Sequence, residues 1–369
     1  MKSVVLLAAS IAVTGTLAAQ RPSRDGWSRM RSITPKGYVC YQASTPMLID
    51  GKGDEEAWQL APWTDDFVDI VGRRKPKPRF RTRAKMLWDD QFFYVLADME
   101  EPHVWATLTQ KNSAMYNDND FEVFIDPDGD NHNYYEFEMN AFNTIWELTL
   151  PKPYMDGGRP RQGTNLDGLQ SAVHVRGTVN DPTDTDSGWS VEIAFPWDGL
   201  KGYAGTTSCP PSAGHQWRIG YSRVNWLVDI IDRKYRKVPR RAHREDNWVW
   251  SPQGVVNMHR PERWGYVQFE DKPGEQVSFK PDPTLRAREL LMSCYHAQRS
   301  YKRKHRRYAA DLESLGVKTP SDPNLDGPKL EVTSSGFVAT VQVRLPDGSS
   351  KTLCTRQDSR LWVEVAEKS

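Results

Sequence analysis

Between Tyr38 and Glu270 the chain is cut into short apolar or alternating runs by Gly, Pro, Asn and Asp, and this punctuation restricts the fold more than any other feature. Thr82-Arg83-Ala84-Lys85-Met86-Leu87-Trp88 alternates, Asp89-Asp90 turns the chain, and Phe92-Phe93-Tyr94-Val95-Leu96-Ala97 carries it back. Runs of the same kind follow at 121–125, 134–140, 144–150, 172–179, 189–195, 217–224 and 264–269. Short strands at regular spacing, joined by turn residues, predict an all-β fold: an antiparallel sandwich, jelly-roll-like, over residues 38–270. Helical patterning within that span is confined to Asp54-Glu55-Glu56-Ala57-Trp58.

A different pattern follows the linker-like Asp271-Lys272-Pro273-Gly274. Residues 283–315 read as one amphipathic helix, with Leu285, Leu290, Leu291, Cys294, Tyr295, Tyr301, Tyr308 and Leu312 on one face and Gly316 as its stop. Strands at 337–343 and 361–365, with an Asp347-Gly348 turn before the second, complete a small α+β unit over 281–369. The helix carries Arg299-Ser300-Tyr301-Lys302-Arg303-Lys304-His305-Arg306-Arg307. Such a run suits an anionic partner, but a solvated helix face is the simpler account. The basic, proline-stiffened loop from Arg73 to Arg79 is read the same way.

The amino terminus predicts export. Lys2, the apolar run from Val4 to Leu17 and the small residues Ala18-Ala19 form a secretory leader over 1–19, followed by a linker at 20–37. No other stretch is apolar and long enough to span a membrane. Removing Lys2 with the leader leaves 48 basic against 48 acidic residues, a balance that disfavours a nucleic-acid binder. A periplasmic, cell-surface or extracellular location follows. Four cysteines in an exported chain permit disulfides, and Cys40–Cys209 with Cys294–Cys354 keeps each bridge within one unit.

The chemistry concentrates where Tyr116-Asn117-Asp118-Asn119-Asp120 runs into the strand Phe121-Glu122-Val123-Phe124-Ile125. Carboxylates and amides hydrogen-bond hydroxyls, and an aromatic face covers the C–H side of a sugar ring. Alternation puts Phe121, Val123 and Ile125 on one face and Glu122 on the other; on the next strand Glu136, Glu138 and Asn140 oppose Tyr135, Phe137 and Met139. If the two strands pair, these polar groups converge. The competing account is a solvated outer face. Asp50 with Asp54, and Asp126 with Asp128, offer hard oxygen ligands for a structural calcium; no other cofactor is expected. Among fourteen tryptophans, Trp248 and Trp250 stand out beside Glu245-Asp246-Asn247.

Signatures of phosphate loops, nucleophile elbows and zinc hydrolases are absent from the sequence. An enzymatic alternative is glycan hydrolysis by Glu122 with Glu136 or Glu138, although no apolar surrounding that would raise a carboxyl pKa is evident in the sequence. A third reading is a surface-assembly scaffold whose basic helix docks a protein partner.

An ordered set of segments resembles carbohydrate-binding module family 9 and related exported bacterial proteins. It comprises Ile49-Asp50-Gly51 with Asp54-Glu55-Glu56-Ala57-Trp58, Lys85-Met86-Leu87-Trp88-Asp89-Asp90 and Glu101-Pro102-His103-Val104-Trp105-Ala106. It continues with Asn119-Asp120-Phe121-Glu122-Val123-Phe124-Ile125-Asp126, Gly188-Trp189-Ser190-Val191-Glu192-Ile193-Ala194, Pro196-Trp197, Glu245-Asp246-Asn247-Trp248-Val249-Trp250-Ser251-Pro252 and Trp264-Gly265-Tyr266-Val267. The resemblance implies a β-sandwich, structural calcium and a non-catalytic site that clamps a sugar of an oligosaccharide or polysaccharide between two aromatic rings. Tyr116 and Trp250 fall at the aromatic positions, and Glu122 and Asn247 at polar ones. An arginine expected on the neighbouring strand has no counterpart, and Asn140 or Asn143 occupies that region. Such modules accompany glycoside hydrolases, which implies an accessory role in carbohydrate catabolism.

Overall fold

The computed structural model describes residues 26–239, 244–272 and 277–364. The predicted leader, part of the linker after it, and Pro273-Gly274 lie outside the described residues. The strands of the first unit are β1 (Gly37–Gln42), β2 (Val68–Asp69), β3 (Thr82–Trp88), β4 (Phe92–Met99), β5 (Asp120–Asp126), β6 (Tyr134–Asn140), β7 (Ile145–Leu150), β8 (Arg161–Gln162), β9 (Gln170–Arg176), β10 (Gly188–Pro196), β11 (Gln216–Asn225), β12 (Val228–Ile231), β13 (Lys234–Lys237), β14 (Asp246–Val249) and β15 (Gly265–Glu270). All but β12 and β13, which form their own hairpin, join one curled sheet in the order β8-β7-β6-β5-β11-β15-β1-β3-β4-β10-β9, with β14 bridging β11 and β2.

The sheet folds over itself. Alternate residues of β5, β6 and β11 enter the same core as alternate residues of β3, β4 and β10, so that Phe121, Val123 and Phe137 share a cluster with Phe93, Val95 and Phe195. The Phe137 and Phe195 rings meet edge to face at 5.5 Å, across the middle of the layer. The architecture is therefore sandwich-like, but not purely antiparallel. β1 runs parallel to both β15 and β3 and stitches the two arms together. Strands so far apart in sequence share no hairpin, so no tight turn forces them to oppose.

After this unit, α4 (Leu285–His305) packs on a four-stranded antiparallel sheet of β16 (Leu325–Val332), β17 (Phe337–Arg344), β18 (Ser350–Arg356) and β19 (Leu361–Val363). Leu291, Cys294 and Tyr295 bury against Phe337, Val341 and Leu353, and the short helix Gly26–Arg31 adds Trp27 and Met30 to that core. The helix stops earlier than its pattern suggests. Arg306 takes a left-handed conformation with φ +60°, and a separate turn, Leu312–Leu315, is the one that ends at Gly316. The buried Gln298 amide explains the reversal: its Nε2 donates to Ala309 O at 2.9 Å, and its Oε1 accepts from Ala309 N at 2.9 Å. This pair of bonds draws the chain back over the helix.

The expected bridges do not form: Cys40, Cys209, Cys294 and Cys354 are all free thiols. Each serves as a small apolar group, Cys40 in the main core and Cys294 in the helix core. Burial pushes Cys209 up to about 11 and Cys294 up to about 12, so neither is reactive near neutral pH.

Gln298→Ala should strip Ala309 of both buried partners and cost about 2 kcal/mol in urea unfolding. An unchanged midpoint would show that another group holds the turn.

Candidate functional site

Pairing of β5 with β6 and β11 decides which side chains meet. Their register puts Ser222, Glu122, Glu138 and Trp146 in one row across four strands, with Phe124 and Glu136 in the next row and Asp120 opposite Asn140. The apolar residues between them point into the main core, so the polar set shares the opposite face. The convergence inferred from alternation is present. The face is not solvated, however: Glu122, Glu136 and Glu138 are 4%, 3% and 3% exposed, and Asp120 is fully buried.

A second apolar layer covers them. Met115, Phe124, Tyr134, Trp146, Leu148 and Trp264 form a cluster on this side of the sheet. At its edge stand two half-exposed rings, Tyr116 at 41% and Tyr154 at 42%. Tyr116 N donates to Glu138 Oε2 at 3.2 Å, its carbonyl accepts Trp226 Nε1–H at 3.0 Å, and its ring lies 6.1 Å from that of Trp146. Tyr154 meets the His259 ring edge to face at 4.3 Å, and its hydroxyl is held in its protonated form by burial and by the charges of Glu136 and Glu138.

The electrostatics are one-sided. Burial raises Glu122 to about 7 and Glu136 to about 8, with the charge of Glu122 adding to the second shift. Glu138 and Asp120 are driven well above the carboxylate range, by burial first and then by neighbouring carboxylates. The apolar surrounding that the sequence did not reveal is thus supplied by the second layer. His259, 3.9 Å from Glu136, brings no positive charge, because burial depresses it to about 3. Among the described residues no lysine or arginine forms an ion pair with these four acids. Asp120 Oδ2, Glu122 Oε2, Glu136 Oε2 and the Trp146 indole N–H are buried without a hydrogen-bond partner. Buried polar atoms of this kind are rare, and they cost least where a ligand completes them.

Two sequence-derived site residues take other roles. Trp250 is 3% exposed, donates from Nε1 to Ile219 O at 3.1 Å, and lies 5.7 Å from the Tyr221 ring in the main core. A Cβ on Gly265 would come within 2.1 Å of its ring, so the cavity for it is cut by a glycine. Trp248 points the same way, since residues two apart on a strand share a face. The Tyr116–Trp250 clamp is therefore not formed. Asn140 is saturated as well: its Nδ2 donates to Leu108 O and Asp118 Oδ2, and its Oδ1 accepts from Phe142 N and Thr144 N. It braces a turn and has no capacity left for a ligand. Asn247, half-buried on β14, pairs with Val224 one position beyond Arg223.

Sequence reasoning missed Asp120, Trp146, Tyr154 and His259. Asp120 was legible, being two residues before Glu122 on the same face. Tyr154 lies in the turn Tyr154–Asp156 after β7, and nothing local announces that it meets β6.

Three acidic groups bring ligand oxygens within 4.8 Å of one another: Asp50, Asp54 and Glu55; Asp126, Asp128 and Asp130; and Asp120, Glu122 and Glu138. In the second, Asp126 already accepts from Gly129 N at 3.1 Å and Asn131 N at 3.0 Å, and Arg360 pairs with Asp130 at 3.0 Å. In the first, Lys52 pairs with Asp50 at 2.5 Å. Both have the donor chemistry for calcium, and both are partly satisfied by the protein itself.

A family model described as "Carbohydrate family 9 binding domain-like" matches residues 49–272, more than half of the chain. This chain belongs to that family. The family 9 region carries the whole acid-lined face, while α4 and its sheet lie beyond it. Among curated relatives, an exoglucanase, XynX, of Acetivibrio thermocellus is 31% identical over 159 residues, and endo-1,4-beta-xylanase A of Thermoanaerobacterium saccharolyticum is 30% identical over the same length. Each alignment covers 43% of this chain but only 12% of the enzyme. Among solved structures, a family 9 carbohydrate-binding module of Caldicellulosiruptor kristjanssonii in complex with cellotriose aligns with TM-score 0.42 and 15% identity, covering 67% of this chain and all of the module.

Because Glu122 and Glu136 hold protons more tightly folded than unfolded, stability should be greatest near pH 5. It should fall by a few kcal/mol as pH rises through about 8, the unfolded chain having already released its protons. Urea unfolding across that range in chelator checks the slope, and Glu136→Gln should flatten it. A slope of the opposite sign would mean these carboxyls are ionised throughout.

Proposed function

We propose that this chain is an exported, non-catalytic carbohydrate-binding protein, accessory to polysaccharide breakdown, with its sugar site at the Tyr116 and Tyr154 rim. The carrying observation is the pair of half-exposed rings beside buried acceptor oxygens and an indole N–H that have no partner. Aromatic faces take the C–H side of a pyranose; Glu122, Glu136 and the Trp146 N–H take its hydroxyls. Asn247 remains a polar contact in this reading. The family membership and the xylanases among the relatives support carbohydrate as the ligand class.

Hydrolysis by the same acids fits less well. Retaining and inverting enzymes hold two exposed carboxyls about 5–9 Å apart, with room for a glycosidic bond between them. Here Glu122 and Glu138 bring oxygens within 4.8 Å of each other, which leaves no room for a glycosidic bond between them. Their raised pKa values follow from burial, not from a cleft built around a substrate.

Calorimetric titration with cello- and xylo-oligosaccharides tests the site. A ligand should bind with modest affinity, since a small exposed sugar buries little area. Tyr116→Ala and Tyr154→Ala should each weaken it at least ~10-fold, about 1.4 kcal/mol, without shifting the melting temperature. Unchanged affinity in both variants would remove the site.

Structural calcium at Asp50, Asp54 and Glu55, or at Asp126, Asp128 and Asp130, is part of the same proposal. Exhaustive chelation should lower the melting temperature by several degrees, and restored calcium should recover it. Identical melting with and without chelator would rule the ion out.

A further inference from the structure

A cavity of about 940 Å³ opens between α4, the short helix Gly26–Arg31 and the loops of the family 9 region, with Met155 and Asp156, which follow Tyr154 in the chain, in its wall. Six cationic side chains line it: Lys152, Arg260, Arg299, Lys302, Arg303 and Arg306. Only two carboxylates, Asp156 and Asp358, stand among them. The protein as a whole carries 49 basic and 48 acidic residues, so this concentration is local and not a reflection of overall charge.

Neutralisation is partial: Arg299 pairs with Asp156 at 3.3 Å and Arg260 with Glu262 at 3.9 Å. Asp358 is held by Arg356 at 2.7 Å, a residue outside the cavity wall, and Asp156 accepts from Tyr295 Oη at 2.5 Å, Ser359 Oγ at 2.7 Å and Arg299 at 3.3 Å. Lys302 donates to Tyr308 Oη at 2.9 Å. Lys152, Arg303 and Arg306 form no ion pair among the described residues.

Arrangement separates this cluster from an ordinary solvated face. Arg299, Lys302 and Arg303 follow the i, i+3, i+4 spacing of one helical stripe, with Arg306 at the cap that ends the helix, and like charges so placed on a helix repel by about a few tenths of a kcal/mol per pair. The helix dipole favours cations in the last turn. It has no bearing on Lys152, which follows β7, or on Arg260, which precedes β15, and both converge on the same space. Beneath the cations the floor is apolar, with Trp27, Met30 and Phe337 buried there. Guanidinium forks match planar carboxylates and sulfates, and apolar walls strengthen that attraction.

We infer that this cavity is a second carbohydrate subsite, specific for an anionic oligosaccharide whose pyranose rings bear carboxylate or sulfate groups. The anionic requirement stands on the cavity alone; its assignment to a sugar rests on the carbohydrate reading given above. A dual-site protein of this kind would grip neutral and acidic parts of one polymer at separate places.

Calorimetric titration of the full chain with oligogalacturonate, and separately with a sulfated oligosaccharide, tests it, with cellotriose as the neutral control. One or both acidic sugars should bind, about 10-fold more weakly when sodium chloride is raised from about 50 to about 300 mM. The double variant Arg303→Glu/Arg306→Glu should lose at least tenfold in affinity for the acidic sugar with an unaltered melting curve, since neither side chain is paired. Tyr116→Ala should leave that affinity unchanged while weakening any cellotriose binding at least ~10-fold. Acidic-sugar binding without binding of any cello- or xylo-oligosaccharide would sink the tyrosine site and leave this one standing. Absence of binding by either acidic sugar, equal binding by the double variant, or equal affinity for a single-stranded oligonucleotide would overturn the assignment.

Discussion

The register of β5 against β6 and β11 is the constraint on which everything else depends. With a side-chain period of two, it sends Phe121, Val123 and Ile125 to the main core and gathers Asp120, Glu122, Glu136 and Glu138 behind them. A slip of β5 by one residue would put Asp120 and Glu122 into the hydrophobic interior and turn its core residues outward. Core burial on one side therefore forces the acids together on the other, at the expense of their ionisation. The acid-lined face is a by-product of the packing that stabilises the sheet.

Much of this was legible in the chain itself. Strand positions, the amphipathic face of the long helix and the convergence of Glu122, Glu136 and Glu138 follow from hydrophobic periodicity, which is a local property. What the sequence left obscure depends on partners distant along it. β1 lies parallel between β15 and β3 because the two arms need a closing strand, and no turn signal encodes that choice. Asn140 resembles a ligand-binding amide until Leu108 and Asp118 are seen to consume its donors. Trp250 sits in a polar stretch, yet pairing of β14 with β11 turns its ring inward over Gly265. A polar neighbourhood in sequence says nothing about which face of a strand an aromatic takes.

In the proposed sugar site, the burial of Trp250 changes how a ligand would be held. A clamp between two large rings is replaced by a rim of two tyrosines with acids and an indole N–H beside it. Tyrosine offers a smaller stacking surface and an additional hydroxyl, which shifts recognition from ring stacking toward hydrogen bonding. The helical unit is no mere appendage either. It is joined to the family 9 region through Leu361 N donating to Asp130 O at 2.9 Å and Asn131 Nδ2 donating to Ser359 O at 2.9 Å, which fixes the basic cavity between them.

The four unpaired thiols bear on how such a protein is made. With no covalent cross-link to install, the native state can be reached under reducing conditions as readily as under oxidising ones, and no isomerase is needed to sort partners. The proposed export reverses the hazard. Until the core closes over them, Cys40, Cys294 and Cys354 would be open to adventitious oxidation in a thiol-oxidising compartment, so the speed of burial protects the chain.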